Sequence, residues 1–425
     1  MAADTRFWHP FALMAQVRSN EFIITRGDGA YVWDSDGKRY FDATASLWCV
    51  LVGHGRDEIV DAAAAQMREL ASYSAFGAFA TTPAVTLAER VAGYADGIVE
   101  DPRVFFGLGG GDAIDTAAKL ARRYFHAIGQ PERMHLIGRT QGYHGTHGLG
   151  TSIGGIPVNQ EGMGPLDPST SHVAWDDLGA LEAEFERVGP DRVAAVFAEP
   201  VIGAGGVHRV PASYLQGVQE LCRRHGALFI ADCVIAAFGR MGTMLGVDRF
   251  GLQPDMITFA KGITSGYLPL GGVVIGGNVA APFWEGDGLW FRHGQTYSGH
   301  PTACAAAHAN LDILESDGLL DRGIELEQEI TTAFDTLTGA RLVGDVRTGI
   351  GALAAVAFDK AALAEHPDIP MRVFAQAKAR GVLTRALGDA VAISPALVAT
   401  REDIEHAATA IGEAAAAVAA DLGVG

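Results

Sequence analysis

Apolar and polar residues alternate on either side of Asp36-Gly37 in GDGAYVWDSDGKRYFDA, residues 27–43. That period of two, closed by an Asp-Gly pair, predicts a β-hairpin. An alanine-rich amphipathic stretch then predicts a helix from Glu58 to Leu70. From residue 103 the rhythm changes to short, continuous apolar runs: RVFFGL (103–108), MHLIG (134–138), VAAVFAE (193–199), ALFIADCV (227–234), MITFA (256–260) and GGVVIG (271–276). Helical patterns separate several of them, among them AIDTAAKLARRYFHA (113–127) and ASYLQGVQELCRRHG (212–226). Strands apolar on both faces and alternating with helices predict an α/β fold with a mostly parallel central sheet. Functional loops are then expected at the strand carboxyl ends. After Pro301, TACAAAHANLDILES predicts an apolar helix leading out of a large domain, residues 58–312, into a small α+β domain, residues 313–425. Residues 1–57, with the hairpin, are expected to join the small domain.

Composition narrows the function classes. With 425 residues, 48% hydrophobic and 19% charged, the chain exceeds one small core and lacks the signature of disorder. A net charge of −18 argues against nucleic acid or an anionic membrane as the main partner, since both require clustered positive charge. Cys49, Cys222, Cys233 and Cys304 are dispersed with no C-x-x-C pair, the usage of reduced thiols in a cytoplasmic protein. The start, MAADTRFWHPFALM, has no uninterrupted apolar stretch of the secretory kind, and no window approaches the ~20 apolar residues that cross a bilayer. Only five residues are lysines (Lys38, Lys119, Lys261, Lys360 and Lys378), so each can be weighed individually.

Three places carry candidate chemistry. In FFGLGGGDAIDTAAKLARRYF a strand runs through Gly109-Gly110-Gly111 into a helix beginning near Asp112 or Ala113. Backbone amides there can approach an anion, although a tight turn explains the glycines about equally well. The dinucleotide pattern fails at Asp112, and no Walker lysine is present. Asp232 ends an apolar run, where a carboxylate is costly unless paired; a helix cap is the plain explanation. Lys261 follows MITFA and precedes a glycine- and serine-containing loop, one β-α-β step beyond Asp232. A lysine at the end of a buried strand suits a Schiff-base amine better than a solvated surface group. His144-x-x-His147 lacks the further ligands of a metal site, and no metal is expected.

Taken together, FxHP near residue 7, LWCVxVGHGR (47–56), the glycine turn, GYHGT (142–146), AEPVxGAGGV (198–207), DxVIxAFGR (232–240), FAKGxTSGYLPLGG (259–272) and HGQTYSGHP (293–301) resemble the class III, or ω-, aminotransferases of pyridoxal-5′-phosphate (PLP) fold type I. The resemblance covers nearly the whole chain. It implies that Lys261 holds PLP as a Schiff base, that Asp232 pairs with the pyridine nitrogen and that Tyr143 stacks on the ring. Gly110 and Gly111 would bind the phosphate through backbone amides, Val234 would pack on the ring, and His144 and Glu199 would lie near the cofactor. Thr296 would reach the phosphate of a neighbouring subunit, which implies a homodimer with shared sites, or dimers paired into a tetramer.

Two departures stand out. The family commonly has Ser-Gly-Ser where this chain has Gly109-Gly110-Gly111, so hydroxyl contacts to the phosphate are lost and backbone contacts remain. Glutamate commonly follows the aspartate, and here Cys233 does; strand alternation turns it away from the ring, as a packing change. The implied reaction is ping-pong transfer of an amino group from an amine or ω-amino acid to a keto acid, pyruvate by preference. Arg385 matches the position that binds the keto-acid carboxylate in the amine:pyruvate type, with a surface arginine as the plain alternative, and Trp48 could wall an apolar donor pocket or equally be a core tryptophan. An aminomutase or decarboxylating transaminase would use the same residues. Intact Lys261, Asp232 and Tyr143 argue against a catalytically silent binding protein.

Overall fold

A computed structural model describes residues 5–424. Seven strands form the central sheet in the spatial order Arg103–Gly107, Gly271–Ile275, Met256–Phe259, Leu228–Asp232, Val193–Ala198, His135–Arg139 and Thr170–Val173. The six apolar runs all become strands of this sheet. Val193–Ala198, Leu228–Asp232, Met256–Phe259 and Gly271–Ile275 are buried along their whole length, which explains why they read as continuous apolar runs.

Three details differ from the sequence pattern, each for a physical reason. Thr170–Val173 is an edge strand paired only with His135–Arg139, half exposed and polar, so no apolar run announces it. Gly271–Ile275 is antiparallel to both neighbours, since the chain returns from Phe259 through residues 260–270, too few for a crossover. The connection from Asp232 to Met256 contains turns and a 3-10 turn, Asp248–Phe250, in place of an α-helix. Gly239, Gly242, Gly246 and Gly251 all adopt positive φ along it, and each stops a helix from propagating.

The hairpin forms with Tyr31 opposite Phe41, and Val382–Leu383 from near the end of the chain pairs in parallel with its second strand. A separate antiparallel sheet holds Val343–Arg347, Ala354–Phe358, Ala390–Ile393 and Arg385–Leu387. The helices Asp57–Leu70 and Pro301–Ser316 pack on each other. Among the described residues no helix is long and apolar enough to cross a membrane.

Candidate functional site

The carboxyl ends of the parallel strands face one cavity of about 370 Å³. Its wall includes Gly109, Gly110 and Gly111 after one strand, Tyr143, His144 and Gly145 after another, then Glu199, Asp232, Val234 and Lys261. Five strand ends that are far apart in sequence thus converge, as an open α/β sheet arranges them.

The helix Gly110–Ala127 starts at the second glycine of the turn, two to three residues earlier than its apolar period indicates. No side chain caps it, since its N-cap is Gly109, so its first amides are free for an anion at the positive end of the helix dipole. A Cβ on Gly110 would lie 2.8 Å from Val234 Cγ1, so any larger residue there would have to displace the Val234 side chain. The Asp112 carboxylate accepts from Leu108 N at 2.7 Å and ties the turn down.

Asp232 is buried and well supplied with donors. His144 Nδ1 lies 2.7 Å from Oδ2, while Val234 N (3.1 Å) and Thr258 Oγ1 (3.2 Å) donate to Oδ1. A carboxylate offers about four acceptor positions, so one remains for a donor in the cavity. The carboxylate can only accept, which puts the His144 proton on Nδ1; its Nε2 is buried without a partner. Thr258 sits opposite Asp232 in the sheet register, so strand pairing places its hydroxyl. Glu199 accepts from Tyr143 N and Gly203 N, both at 3.0 Å, and thereby fixes the loop that presents the tyrosine. Burial pushes the Glu199 carboxyl above its usual range, with Asp232 adding to the rise and His144 opposing both.

Lys261 adopts φ 48°, a left-handed conformation unusual for a residue with a Cβ, and Ser265 does the same at φ 47°. Such residues cost about 1–3 kcal/mol each and persist where the surroundings enforce them. The Lys261 side chain lies deep among neighbours with its exposed part in the cavity. Burial pushes its ammonium below the ordinary lysine value; Asp232 draws it back, and Arg385 adds to the lowering. A larger share of free amine follows, which is the form that attacks a carbonyl carbon.

A glycine-lined helix start, a buried carboxylate with room for one more donor and a partly neutral lysine around one cavity suit a phosphorylated pyridine aldehyde. The comparisons decide the matter. The family model for class-III aminotransferases matches residues 13–415. The chain belongs to the class III aminotransferases.

Among its relatives, the putrescine–pyruvate aminotransferase of Pseudomonas aeruginosa is 38% identical over 410 residues, 91% of this chain and 89% of that one. A probable aminotransferase of Mycobacterium tuberculosis is 40% identical over 342 residues, 76% of this chain and 72% of its own length. Among solved structures, a PLP-bound amine transaminase from an uncultivated Pseudomonas species superposes with a TM-score of 0.92 at 38% identity, covering 98% and 99% of the two chains. The aminotransferase is therefore a PLP-dependent enzyme of fold type I, and it moves an amino group to a keto acid.

The remaining candidates sit elsewhere. Trp48 does not line the cavity; it is buried and crowds Gly203 together with Ile235, and Leu47 takes the wall position. The reason is local: Ala45, Ser46 and Trp48 all have positive φ, which turns consecutive side chains in directions no regular period predicts. Arg385 lies outside the wall, half buried, near enough to Tyr143 and Lys261 to influence both. Among the described residues no carboxylate pairs with its guanidinium, and burial lowers its pKa. Thr296 is exposed in a turn and does not line its own chain's cavity. Cys233 is fully buried outside the wall, and burial raises its thiol well above the usual value. The sequence reading missed the apolar wall formed by Leu47, Ile235, Leu268 and Leu270; nothing in their spacing distinguishes them from core residues.

Proposed function

We propose that this aminotransferase takes the amino group of an amine or ω-amino acid and passes it to pyruvate, in two half-reactions at one site. When bound, PLP supplies a protonated ring that accepts the electron pair released as the donor loses its Cα proton. Lys261 Nζ would hold the cofactor covalently and, once displaced by the donor amine, carry the Cα proton. The Asp232 carboxylate, held by His144, Thr258 and Val234, would keep the pyridine nitrogen protonated. Gly110 and Gly111 amides would bind the phosphate, with Tyr143 and Val234 against the ring and Glu199 bracing the Tyr143 loop. The apolar wall accepts an uncharged donor group, and cytoplasmic residence suits four unpaired thiols.

The observation that carries the substrate reading is Arg385: a half-buried cation that no carboxylate among the described residues pairs with, near enough to Tyr143 and Lys261 to influence both electrostatically. A guanidinium fork in that state suits a keto-acid carboxylate. The names of two relatives, one a putrescine–pyruvate aminotransferase and one an amine transaminase, point the same way. We propose a homodimer as the working form. Tyr73, Phe76, Phe79, Trp290 and Tyr297 are exposed; Tyr73 packs on Phe79, Phe76 and Trp290 line one cleft, and Tyr297 follows Thr296 in the chain, the kind of exposed apolar group that marks an interface.

Arg385→Ala tests the substrate reading. The pyruvate half-reaction should slow about 10- to 150-fold, the equivalent of one charge-assisted hydrogen bond of ~1.5–3 kcal/mol. The half-reaction with 1-phenylethylamine, which carries no carboxylate, should change far less. Single-turnover absorbance follows the two separately. Equal loss in both would assign Arg385 to the fold or the cofactor, and no loss in either would place it outside the site.

A further inference from the structure

Asn310 is fully buried in the alanine-rich helix Pro301–Ser316 and points at the turn that carries Lys261. Its Nδ2 donates to the carbonyls of Gly262 at 2.8 Å and Ile263 at 3.0 Å. Only the NH₂ end of an amide can serve two carbonyls, so the orientation of the side chain is determined. Its Oδ1 stays buried without a partner. Leucine or alanine would suit the helix better and bury no unsatisfied oxygen. A rule broken at one position signals a demand from another, and here the demand comes from the turn.

That turn, Lys261–Ile263, starts from a residue in the left-handed region. On its other side Leu51 and Phe238 press against Gly262, where a Cβ would come within 2.5 Å of Leu51 Cδ1. Val52 N donates to Ser265 Oγ two residues further on. Among the described residues no other side chain bonds the Gly262 or Ile263 carbonyl, and Ile263 O has no other donor at all.

We propose that Asn310 is a positioning residue for Lys261. It holds the strained turn in the conformation that aims Nζ into the cavity, and it sets the rate of both half-reactions without touching substrate or cofactor. The proposal rests on the reading of Lys261 as the reactive lysine. Borohydride treatment of the holoenzyme with mass mapping checks that reading first: an adduct on another of the five lysines overturns both.

With the adduct on Lys261, Asn310→Leu isolates the new claim. Turnover should fall about 10- to 100-fold, the scale of a misplacement of roughly 1 Å, and both half-reactions should share the loss. KM for pyruvate should stay within about threefold. In the cofactor-free protein, competitive acetylation should show Lys261 reactivity changed about threefold or more, with Lys119 and Lys360 in the same sample unaffected. In a Lys261→Ala background, with methylamine supplied as the proton carrier, adding Asn310→Leu should alter the residual rate by less than about twofold. Should Asn310→Leu fail to fold, Asn310→Ser, which keeps one donor, is measured in its place. Unchanged turnover and Lys261 acetylation would overturn the proposal. So would an equal loss in the Lys261→Ala background, because Asn310 would then act on something other than the lysine.

Discussion

Asp232 shows how a single residue's role depends on what surrounds it. A carboxylate at the end of a buried strand is costly unless hydrogen-bond donors meet it. Three protein donors, His144 Nδ1, Val234 N and Thr258 Oγ1, occupy acceptor positions of this carboxylate and leave about one free. Asp232→Asn keeps the shape and removes the charge. The variant should retain PLP, because the glycine turn and Lys261 are untouched, yet turn over at least about tenfold more slowly, a barrier rise of 1.36 kcal/mol or more. Single-turnover rates within about threefold of the parent would remove Asp232 from its role at the pyridine nitrogen. The residue itself is conspicuous in the sequence, as an aspartate closing an apolar run. His144 was legible only as a neighbour of Tyr143, because its bond to Asp232 spans 88 positions of chain.

The segment 44–48 is the element with the most unusual conformation. Three of its residues, none a glycine, have positive φ. The buried Asp42 carboxylate holds them: it accepts from Ser46 N at 2.7 Å, Thr44 Oγ1 at 3.0 Å and Thr44 N at 3.3 Å, and His54 Nε2 lies 3.0 Å away. Leu47, at the end of that path, forms part of the cavity wall. Asp42→Asn turns one acceptor into a donor that faces other donors. A loss of about 1.5–3 kcal/mol in unfolding free energy is expected, measured by guanidinium denaturation. KM for a bulky amine should rise while KM for pyruvate stays near the parent value, since the wall and not Arg385 is disturbed. Unaltered stability and an unaltered amine KM would show that the carboxylate does not hold the segment. Sequence pattern marks regular elements because their side chains repeat at fixed intervals. This segment has no interval, which is why Trp48 and not Leu47 stood out as the wall residue.

At the scale of the whole molecule, the segment around Thr296 lies close both to the strand that leads into the glycine turn and to exposed Phe76. Gln295, beside Thr296, comes within 3.6 Å of where a Cβ on Gly107 would stand, and Gly294 approaches Phe76. In the proposed homodimer, the partner's Thr296 would reach the phosphate that the Gly110–Gly111 helix start is proposed to bind. Dilution to monomers should therefore release PLP, read by cofactor fluorescence after size separation, with the midpoint of release matching that of dissociation. Monomers that keep PLP as tightly as dimers would show that one chain builds the whole phosphate cup. The size of the effect follows mass action: each tenfold weaker hold on the cofactor is 1.4 kcal/mol.

The sequence alone determined the elements whose chemistry is local. Six of the seven central strands, the glycine turn before a helix, a carboxylate closing one apolar run and a lysine after the next are all written in contiguous residues, because a buried strand must be apolar and a helix start must leave amides free. Only the tertiary structure decided which of these meet. The polar edge strand Thr170–Val173, the reversal at Gly271–Ile275, the His144–Asp232 pair and the grip of Asn310 on the Lys261 turn all join residues distant in the chain. Their partners are chosen by packing and by the need of buried polar groups for a hydrogen bond. Neither leaves a periodic trace in the sequence.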